Sequence, residues 1–334
     1  FIYLPVHFCL NIYTHDPLYA LTNSIGFGEL GVAVFFVISG YLITMSWQRN
    51  NNILVFLINR TLRIFPALLV VVAFAIFIVG PLFSELSIKE YFVNKQTFSY
   101  LSNISLFKLQ NYLPGVFIEG DVAHKINAPL WTLFFEFVMY LLVLFFGLVG
   151  LFHSFKKYSI VLLVIAAIWY FNSDIPADLF FLKIHVGNFI SFFIYFFIGS
   201  LLYIFRDSIP YKFVYVIIGS VLLICSYFTP FFDIFLFIYI PYTIIFIALH
   251  VKSFGTCITK HGDLSYGLYI YHYIIQNIIF YMFDYKIGIW YAFVLSLIIT
   301  LGFAYFSWHG IEKKSLALKE KTYIYFRNYL KKVF

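Results

Sequence analysis

Long apolar runs recur along almost the whole chain, and they constrain its fold more than any other feature. Most are close to the ~20 residues that an α-helix needs to cross ~30 Å of hydrocarbon. Backbone polar groups in lipid need internal partners, so such runs predict helices. With 63% hydrophobic and 11% charged residues, the 334-residue chain also has too few charges to cover a soluble domain. The predicted fold class is therefore all-α, a polytopic membrane helix bundle.

The apolar runs predict about ten transmembrane helices. They lie at roughly 1–13, 28–47, 64–82, 129–152, 158–172, 188–205, 212–229, 233–250, 264–284 and 288–308. We expect the first helix to be truncated at Phe1. The predicted organisation is a transmembrane domain over 1–311, with a long loop at about 83–128, followed by a basic amphipathic tail over 312–334.

Lysines and arginines are concentrated in alternate loops, and this pattern predicts the orientation. Arg49, Arg60 and Arg63 follow the second predicted span, and the tail carries several more basic residues. By the positive-inside rule these segments and both termini are cytoplasmic. The net charge of +7 thus indicates lipid and topology rather than nucleic acid. Aromatic residues in the outer loop favour an ordered cap on the membrane surface, and the tail is typical of a helix on the inner leaflet.

Three ionisable residues that fall inside predicted spans are functional candidates, because a charge is costly there: His7, Glu136 and His272. His7 and Glu136 each lie about six residues, or ~9 Å, from the outer end of their spans. A histidine base and its orienting carboxylate can therefore meet at one depth. His272 lies about eight residues from the cytoplasmic face. Each histidine also fits a simpler role, a hydrogen bond to a neighbouring helix.

A second group of candidates surrounds the cytoplasmic end of the second span. Arg60 and Arg63 lie three apart on one helical face, where they suit an anion, although they also fit the role of topology markers. Ser39 and Gly40 lie near the middle of the span and equally fit helix packing. Together these residues suggest a path from a cytoplasmic anion site towards a reactive histidine. The cysteines and histidines have no metal-ligand spacing, so no metal is expected.

Five sequence blocks carry a resemblance to a known family. They are GVAVFFVISGYLIT (31–44), RTLRIFP (60–66), LWTLFFEFVMY (130–140), LSYGLYIYH (264–272) and EKKS (312–315). In this order and spacing the chain resembles the acyltransferase 3 family of integral membrane acyltransferases. It resembles the stand-alone members, which lack a fused SGNH esterase-like domain.

The resemblance implies roles for individual residues. His7 is expected to be catalytic, Arg60 and Arg63 to form the family's Arg-x-x-Arg motif, and Glu136 to be its fourth-span carboxylate. Ser39 is expected to contact the donor as it passes inward. Four residues within the blocks are expected to bind substrate or support the site: Trp131, Tyr140, Tyr269 and His272.

The expected activity is transfer of an acyl group, most simply acetyl, from cytoplasmic acetyl-CoA to a hydroxyl of a lipid-linked or surface glycan. His7 would act as general base or be transiently acylated, and both routes stay open. The resemblance implies the bacterial inner membrane, with membrane lipids as neighbours. The alternative is a polytopic transporter, since buried ionisable residues and a polar path also suit transport.

Overall fold

The computed structural model describes residues 17–22, 26–119, 122–153, 157–161, 163–164, 167, 180–181, 184–250 and 262–333. In this part of the chain nine helices have fourteen residues or more. They are α1 (Phe27–Asn50), α2 (Ile53–Phe74), α3 (Trp131–Leu148), α4 (Val186–Ile204), α5 (Phe213–Ser226), α6 (Phe232–His250), α7 (Ser265–Met282), α8 (Ile289–Ser307) and α9 (Lys319–Val333).

The remaining elements are short. The short α-helices are Pro17–Thr22, Gly80–Phe83, Ile88–Val93, Lys95–Ser99 and Lys313–Ala317. The 3₁₀ turns are Tyr100–Ser105, Ala128–Leu130 and Leu151–His153, and the π-helical turns are Ala75–Val79 and Trp308–Glu312. Two antiparallel hairpins pair β1 (Ile118–Glu119) with β2 (Val122–Ala123) and β3 (Phe180–Phe181) with β4 (Ile184–His185).

The helices confirm the predicted all-α polytopic class. Five stretches are long and apolar enough to cross a membrane, and they are Phe27–Asn50, Ile53–Phe83, Ala128–Leu148, Phe232–His250 and Ile289–Arg327. The described residues do not establish the predicted count of ten. The first predicted span, 1–13, and most of the fifth, 158–172, lie outside them.

The segment between the second and third predicted spans is mostly helical, whereas hydropathy predicted that the third span begins at about 64. α1 ends at Asn50, and it is capped by Asn51, whose backbone is left-handed (φ 43°) and whose N–H donates to the Trp47 carbonyl. The Asn52 side chain then accepts a hydrogen bond from the Val55 amide. The stretch Ile53–Phe83 has 31 residues, or ~46 Å of helix, which exceeds the hydrocarbon thickness. Hydropathy indicates only the part of a helix that lies in lipid, and the N-terminal part of α2 lies before that part begins.

The chain divides into two compact units: unit 1 contains residues 1–15, 57–134 and 257–334, and unit 2 contains 16–56 and 135–256. Within unit 2, α1 and α4 pack at very short distance. A Cβ at Gly40 would overlap the Phe196 carbonyl, and one at Gly199 would overlap the Val37 carbonyl. Small residues allow such close approach between membrane helices. The packing interpretation of Gly40 is therefore confirmed.

Within unit 1, α7 and α8 form a second close pair. Four buried small residues recur every fourth position of α8: Ala292, Ser296, Thr300 and Ala304. This spacing keeps them on one helical face. A Cβ at Gly267 of α7 would lie 2.7 Å from the Ala304 Cα, so the two backbones nearly touch.

The long loop at about 83–128 is folded. Tyr91 and Tyr100 are among its buried side chains. Ser87 begins the Ile88–Val93 helix and donates hydrogen bonds from its hydroxyl (2.7 Å) and amide (3.0 Å) to the Glu90 carboxylate, which lowers the pKa of Glu90. The side-chain amide of Asn277 on α7 donates to the carbonyls of Lys125 (2.8 Å) and Ile126 (3.3 Å). The loop is thus anchored to α7.

Candidate functional site

Arg63 on α2 is the centre of a charged cluster in unit 1. Its Nη2 lies 2.6 Å from an Asp263 carboxylate oxygen, and its Nη1 lies 3.2 Å from one of Glu312. Glu312 is 1% exposed and Asp263 is 49% exposed. One guanidinium therefore joins a buried and a half-exposed carboxylate that lie 249 and 200 residues away in sequence. We name Arg63, Asp263, Glu312, Arg60 and Lys319 the cation cluster.

Local structure at the end of α8 positions Glu312. The π-helical turn Trp308–Glu312 follows α8 directly, and π-turns inside helices are frequently found at functional sites. The Ser307 hydroxyl donates to the second carboxylate oxygen of Glu312 at 2.9 Å. Both oxygens of this buried carboxylate thus have a donor, as a buried charge requires.

The N-terminus of α7 positions Asp263. Its carboxylate accepts hydrogen bonds from the amide (3.2 Å) and the hydroxyl (2.5 Å) of Ser265. Gly262 precedes it with φ 98°, a backbone conformation that favours glycine, and a Cβ there would overlap the Trp308 indole. The Arg63 guanidinium carbon lies 5.8 Å from the Trp308 ring centroid and 5.7 Å from that of Tyr266, both within cation–π range.

Two further cations complete the cluster. Arg60 lies one helical turn before Arg63 on α2, and its side chain is half-buried. Lys319, the first residue of α9, is close enough to both arginines for their charges to act on it. Arg60, Arg63 and Lys319 thus lie in one region of the described chain together with Asp263 and Glu312. Grouped guanidinium and ammonium groups are suited to bind an anion.

Glu136 lies in unit 2, on α3, and is 7% exposed. The phenol of Tyr140, one turn further along the helix, donates to its carboxylate. This i,i+4 spacing places two of the predicted residues in direct contact. Ser39 on α1 is half-buried. His7 lies outside the described residues, so its predicted pairing with Glu136 stays a prediction.

Tyr269 and His272 lie in unit 1 on α7. The Tyr269 hydroxyl contacts the Pro129 carbonyl and the Thr132 hydroxyl, beside Trp131 at the start of α3. Nδ1 of His272 lies 2.8 Å from the Tyr269 carbonyl. Because a carbonyl only accepts, Nδ1 carries the hydrogen, and in a neutral imidazole Nε2 is then an acceptor.

Comparison with known proteins places this chain in a family. A family model described as an acyltransferase domain, of the acyltransferase 3 type, matches residues 1–309. The chain belongs to the acyltransferase 3 family. It is accordingly a multi-pass membrane acyltransferase, which favours acyl transfer over the transport alternative.

Two curated relatives of this acyltransferase are informative. An "O-acetyl transferase" of Shigella phage Sf6 is 27% identical over 302 residues, which cover 86% of this chain and 85% of that protein. "Nodulation protein 10" of Rhizobium leguminosarum bv. viciae is 51% identical over 47 residues, or 14% of this chain and 13% of that protein. No solved structure matches the chain.

Some residues of the cation cluster were missed from sequence. Asp263, Glu312 and Lys319 had no assigned role, although Glu312 opens the EKKS block. A carboxylate four residues beyond the end of the predicted span 288–308 was the available signal. Among the described residues no group of three histidine, cysteine, aspartate or glutamate side chains can hold a metal ion.

Proposed function

We propose that this acyltransferase moves an acetyl group from acetyl-CoA to a hydroxyl of a lipid-linked or cell-surface glycan. The name of the phage relative, an O-acetyl transferase, supports acetyl as the group and oxygen as the acceptor atom. The bacterial inner membrane is the proposed location, with both termini in the cytoplasm. The observation that carries the donor assignment is the grouping of Arg60, Arg63 and Lys319 in the cation cluster.

The phosphates of CoA are the proposed ligands of this cluster. Guanidinium and ammonium groups form charge-assisted hydrogen bonds with phosphate oxygens. Two guanidinium nitrogens of Arg63 already donate to Asp263 and Glu312, so only part of its hydrogen-bonding capacity is left for a ligand. We assign the phosphate contact to Lys319 and the two arginines together, with Arg63 also holding the cluster together.

His7 is the proposed base of the transfer step. In direct transfer the acceptor hydroxyl oxygen attacks the thioester carbonyl carbon, and His7 takes the hydroxyl proton. The carbon–sulfur bond then breaks, and the leaving sulfur takes this proton from His7 to become the CoA thiol. In the alternative, His7 attacks the thioester carbonyl carbon and releases the CoA thiol, and the acceptor hydroxyl oxygen then takes the acyl group from His7. Glu136 is the proposed carboxylate of this step, Ser39 a donor contact, and the folded loop 83–128 the holder of the acceptor.

One experiment separates donor binding from chemistry. Purify the wild-type enzyme and the His7→Ala, Arg60→Met and Lys319→Met variants in detergent, and measure CoA affinity and release of the CoA thiol from acetyl-CoA. We expect His7→Ala to bind CoA normally but to lose about 10²–10⁴-fold in rate, as for loss of a general base. Arg60→Met and Lys319→Met should weaken CoA binding, each by about tenfold.

The matched control is Lys314→Met, because Lys314 is an exposed lysine of the nearby Lys313–Ala317 helix. Equal loss of CoA affinity in Lys314→Met and Lys319→Met would mean that CoA responds to the overall positive charge and not to specific contacts in the cluster. Wild-type turnover by His7→Ala would remove the proposed chemistry. The acceptor is tested by deleting the gene and measuring the mass of the surface glycan, which should lose acetyl groups.

A further inference from the structure

Four polar side chains form a stripe along α7. Ser265, Tyr269, His272 and Gln276 stand at positions i, i+4, i+7 and i+11 of this helix. Such spacing places residues on one face of an α-helix. The eleven steps from the first to the last cover ~16 Å along the axis. We name these four residues the polar stripe.

The other faces of α7 have known contacts within unit 1. Gly267 packs against Ala304 of α8, and Asn277 donates to the folded loop at Lys125 and Ile126. Neither residue belongs to the polar stripe. Helix packing and loop anchoring thus involve other faces of α7, whereas on the stripe itself the Tyr269 hydroxyl contacts the Pro129 carbonyl and the Thr132 hydroxyl.

Gln276, at the C-terminal end of the stripe, has a side-chain amide oxygen without a hydrogen-bond partner among the described residues. The residue is 3% exposed, and its Oε1 has no hydrogen-bond partner in the part of the chain that the structure describes. Buried polar atoms in folded proteins are normally paired, and an exception calls for an explanation such as a bound group. An amide oxygen accepts hydrogen bonds, so the missing group is an N–H or O–H donor.

The opposite end of the stripe meets the cation cluster. The Ser265 hydroxyl donates to Asp263, and the other carboxylate oxygen of Asp263 pairs with Arg63. One face of α7 thus connects the cation cluster to a buried, unsatisfied acceptor ~16 Å along the helix. A matching ligand is elongated, with negative charge at one end and N–H donors along its length.

We propose that the polar stripe of α7 binds the pantetheine arm of acetyl-CoA, with an arm amide N–H donating to Gln276. The arm is an extended chain that carries phosphate at one end, amide groups along its length and the thioester at the other end. Gln276 is then a donor-binding residue with no role in proton transfer. This inference rests on acetyl-CoA being the donor, as proposed above.

The test replaces Gln276 by leucine, which has a similar size and no polar atom. Without a ligand, Gln276→Leu should match or exceed the wild type in thermal stability, because the change removes an unsatisfied buried group. With ligand, its affinity for CoA should fall about threefold to tenfold. Loss of affinity without loss of stability distinguishes a ligand contact from a structural one.

Thr300→Val is the matched control. Thr300 on α8 is 1% exposed, and its hydroxyl also has no partner among the described residues, yet it lies outside the stripe. We expect no change in CoA affinity for this variant. Gln276→Met serves as a second substitution should the leucine variant fail to fold.

Acetyl-pantetheine, which lacks the nucleotide and its phosphates, separates the two parts of the donor site. Gln276→Leu should weaken binding of acetyl-pantetheine as much as that of acetyl-CoA, whereas Lys319→Met should affect only acetyl-CoA. A wild-type enzyme that binds neither donor would refute the proposed function itself. Normal binding by the wild type together with unchanged affinity in Gln276→Leu and Gln276→Met would refute this inference alone. Loss of glycan acetylation with unchanged donor affinity would assign the stripe to the acceptor and also overturn it.

Discussion

Replacing Arg63 by methionine should destabilise the enzyme before it affects chemistry. The change removes the cation that faces Glu312, a carboxylate that is 1% exposed. Removing one partner of a buried ion pair typically costs ~3–5 kcal/mol, because the remaining charge stays buried. Arg63 is 20% exposed and the Ser307 hydroxyl still donates to Glu312, so we expect a smaller cost, about 2–3 kcal/mol. The half-exposed Asp263 adds at most ~1 kcal/mol.

A double-mutant cycle with Glu312→Gln measures this pair directly. Glutamine keeps the size of Glu312 and removes its charge. It therefore removes the cost of the unpaired buried charge that Arg63→Met leaves behind. We expect the double variant to be more stable than the sum of the single effects predicts, with a coupling free energy of about 1–2 kcal/mol. The assay is denaturant-induced unfolding in mixed micelles, followed by intrinsic fluorescence, with CoA affinity measured on each folded variant.

Two results would contradict the reasoning. Additive effects of Arg63→Met and Glu312→Gln would mean that the pair contributes nothing to stability. Full stability of Arg63→Met with complete loss of CoA binding would make Arg63 a phosphate ligand alone and contradict its proposed role in holding the cluster together. Arg63→Lys is a useful intermediate, because lysine keeps the charge but cannot donate to two carboxylates through a planar fork.

The remaining predictions concern packing and hydrogen bonds. Gly40→Val should lower the free energy of unfolding by about 1–3 kcal/mol, because it overpacks α1 against α4. Gly302→Ala is the control: a Cβ there meets open space, so this variant should not be destabilised in the same unfolding assay. Asn277→Leu should release the folded loop from α7 and speed amide hydrogen exchange at 124–127, with exchange at α1 unchanged as the control. Tyr140→Phe should cost about 1–3 kcal/mol by leaving the buried Glu136 with one donor fewer, and unfolding of Glu136→Gln with and without this change checks the coupling.

Much of the fold follows from hydropathy alone, because a bilayer imposes length and helicity on each apolar run. The contact between Glu136 and Tyr140 also follows from sequence, since i,i+4 residues on a helix are neighbours. Helix ends are less predictable. Hydropathy reports where lipid contact stops, so it placed the start of the third span at about 64, whereas α2 begins at Ile53.

The partners of Arg63 were beyond prediction from one sequence. Asp263 and Glu312 lie 200 and 249 residues away, and their contacts depend on how α2, α7 and α8 pack within unit 1. The Arg-x-x-Arg spacing predicts a shared helical face but does not tell which charges that face meets. The sequence therefore identified the two arginines of the cluster and predicted a ligand for them. Only the structure showed that two carboxylates form hydrogen bonds with Arg63.

Hydrogen-bond satisfaction separates two kinds of buried polar residue in this enzyme. Glu312 is surrounded by donors from Arg63 and Ser307, so its charge is compensated by the protein itself. Gln276 is equally buried, yet its acceptor oxygen has no partner in the described chain. Removing a hydrogen-bonded buried group leaves its partner without a hydrogen bond and lowers the free energy of unfolding. Removing a buried group that has no hydrogen bond eliminates its desolvation penalty instead. The two variants should therefore have opposite effects. Glu312→Gln should lower stability more than donor affinity, and Gln276→Leu should lower donor affinity only.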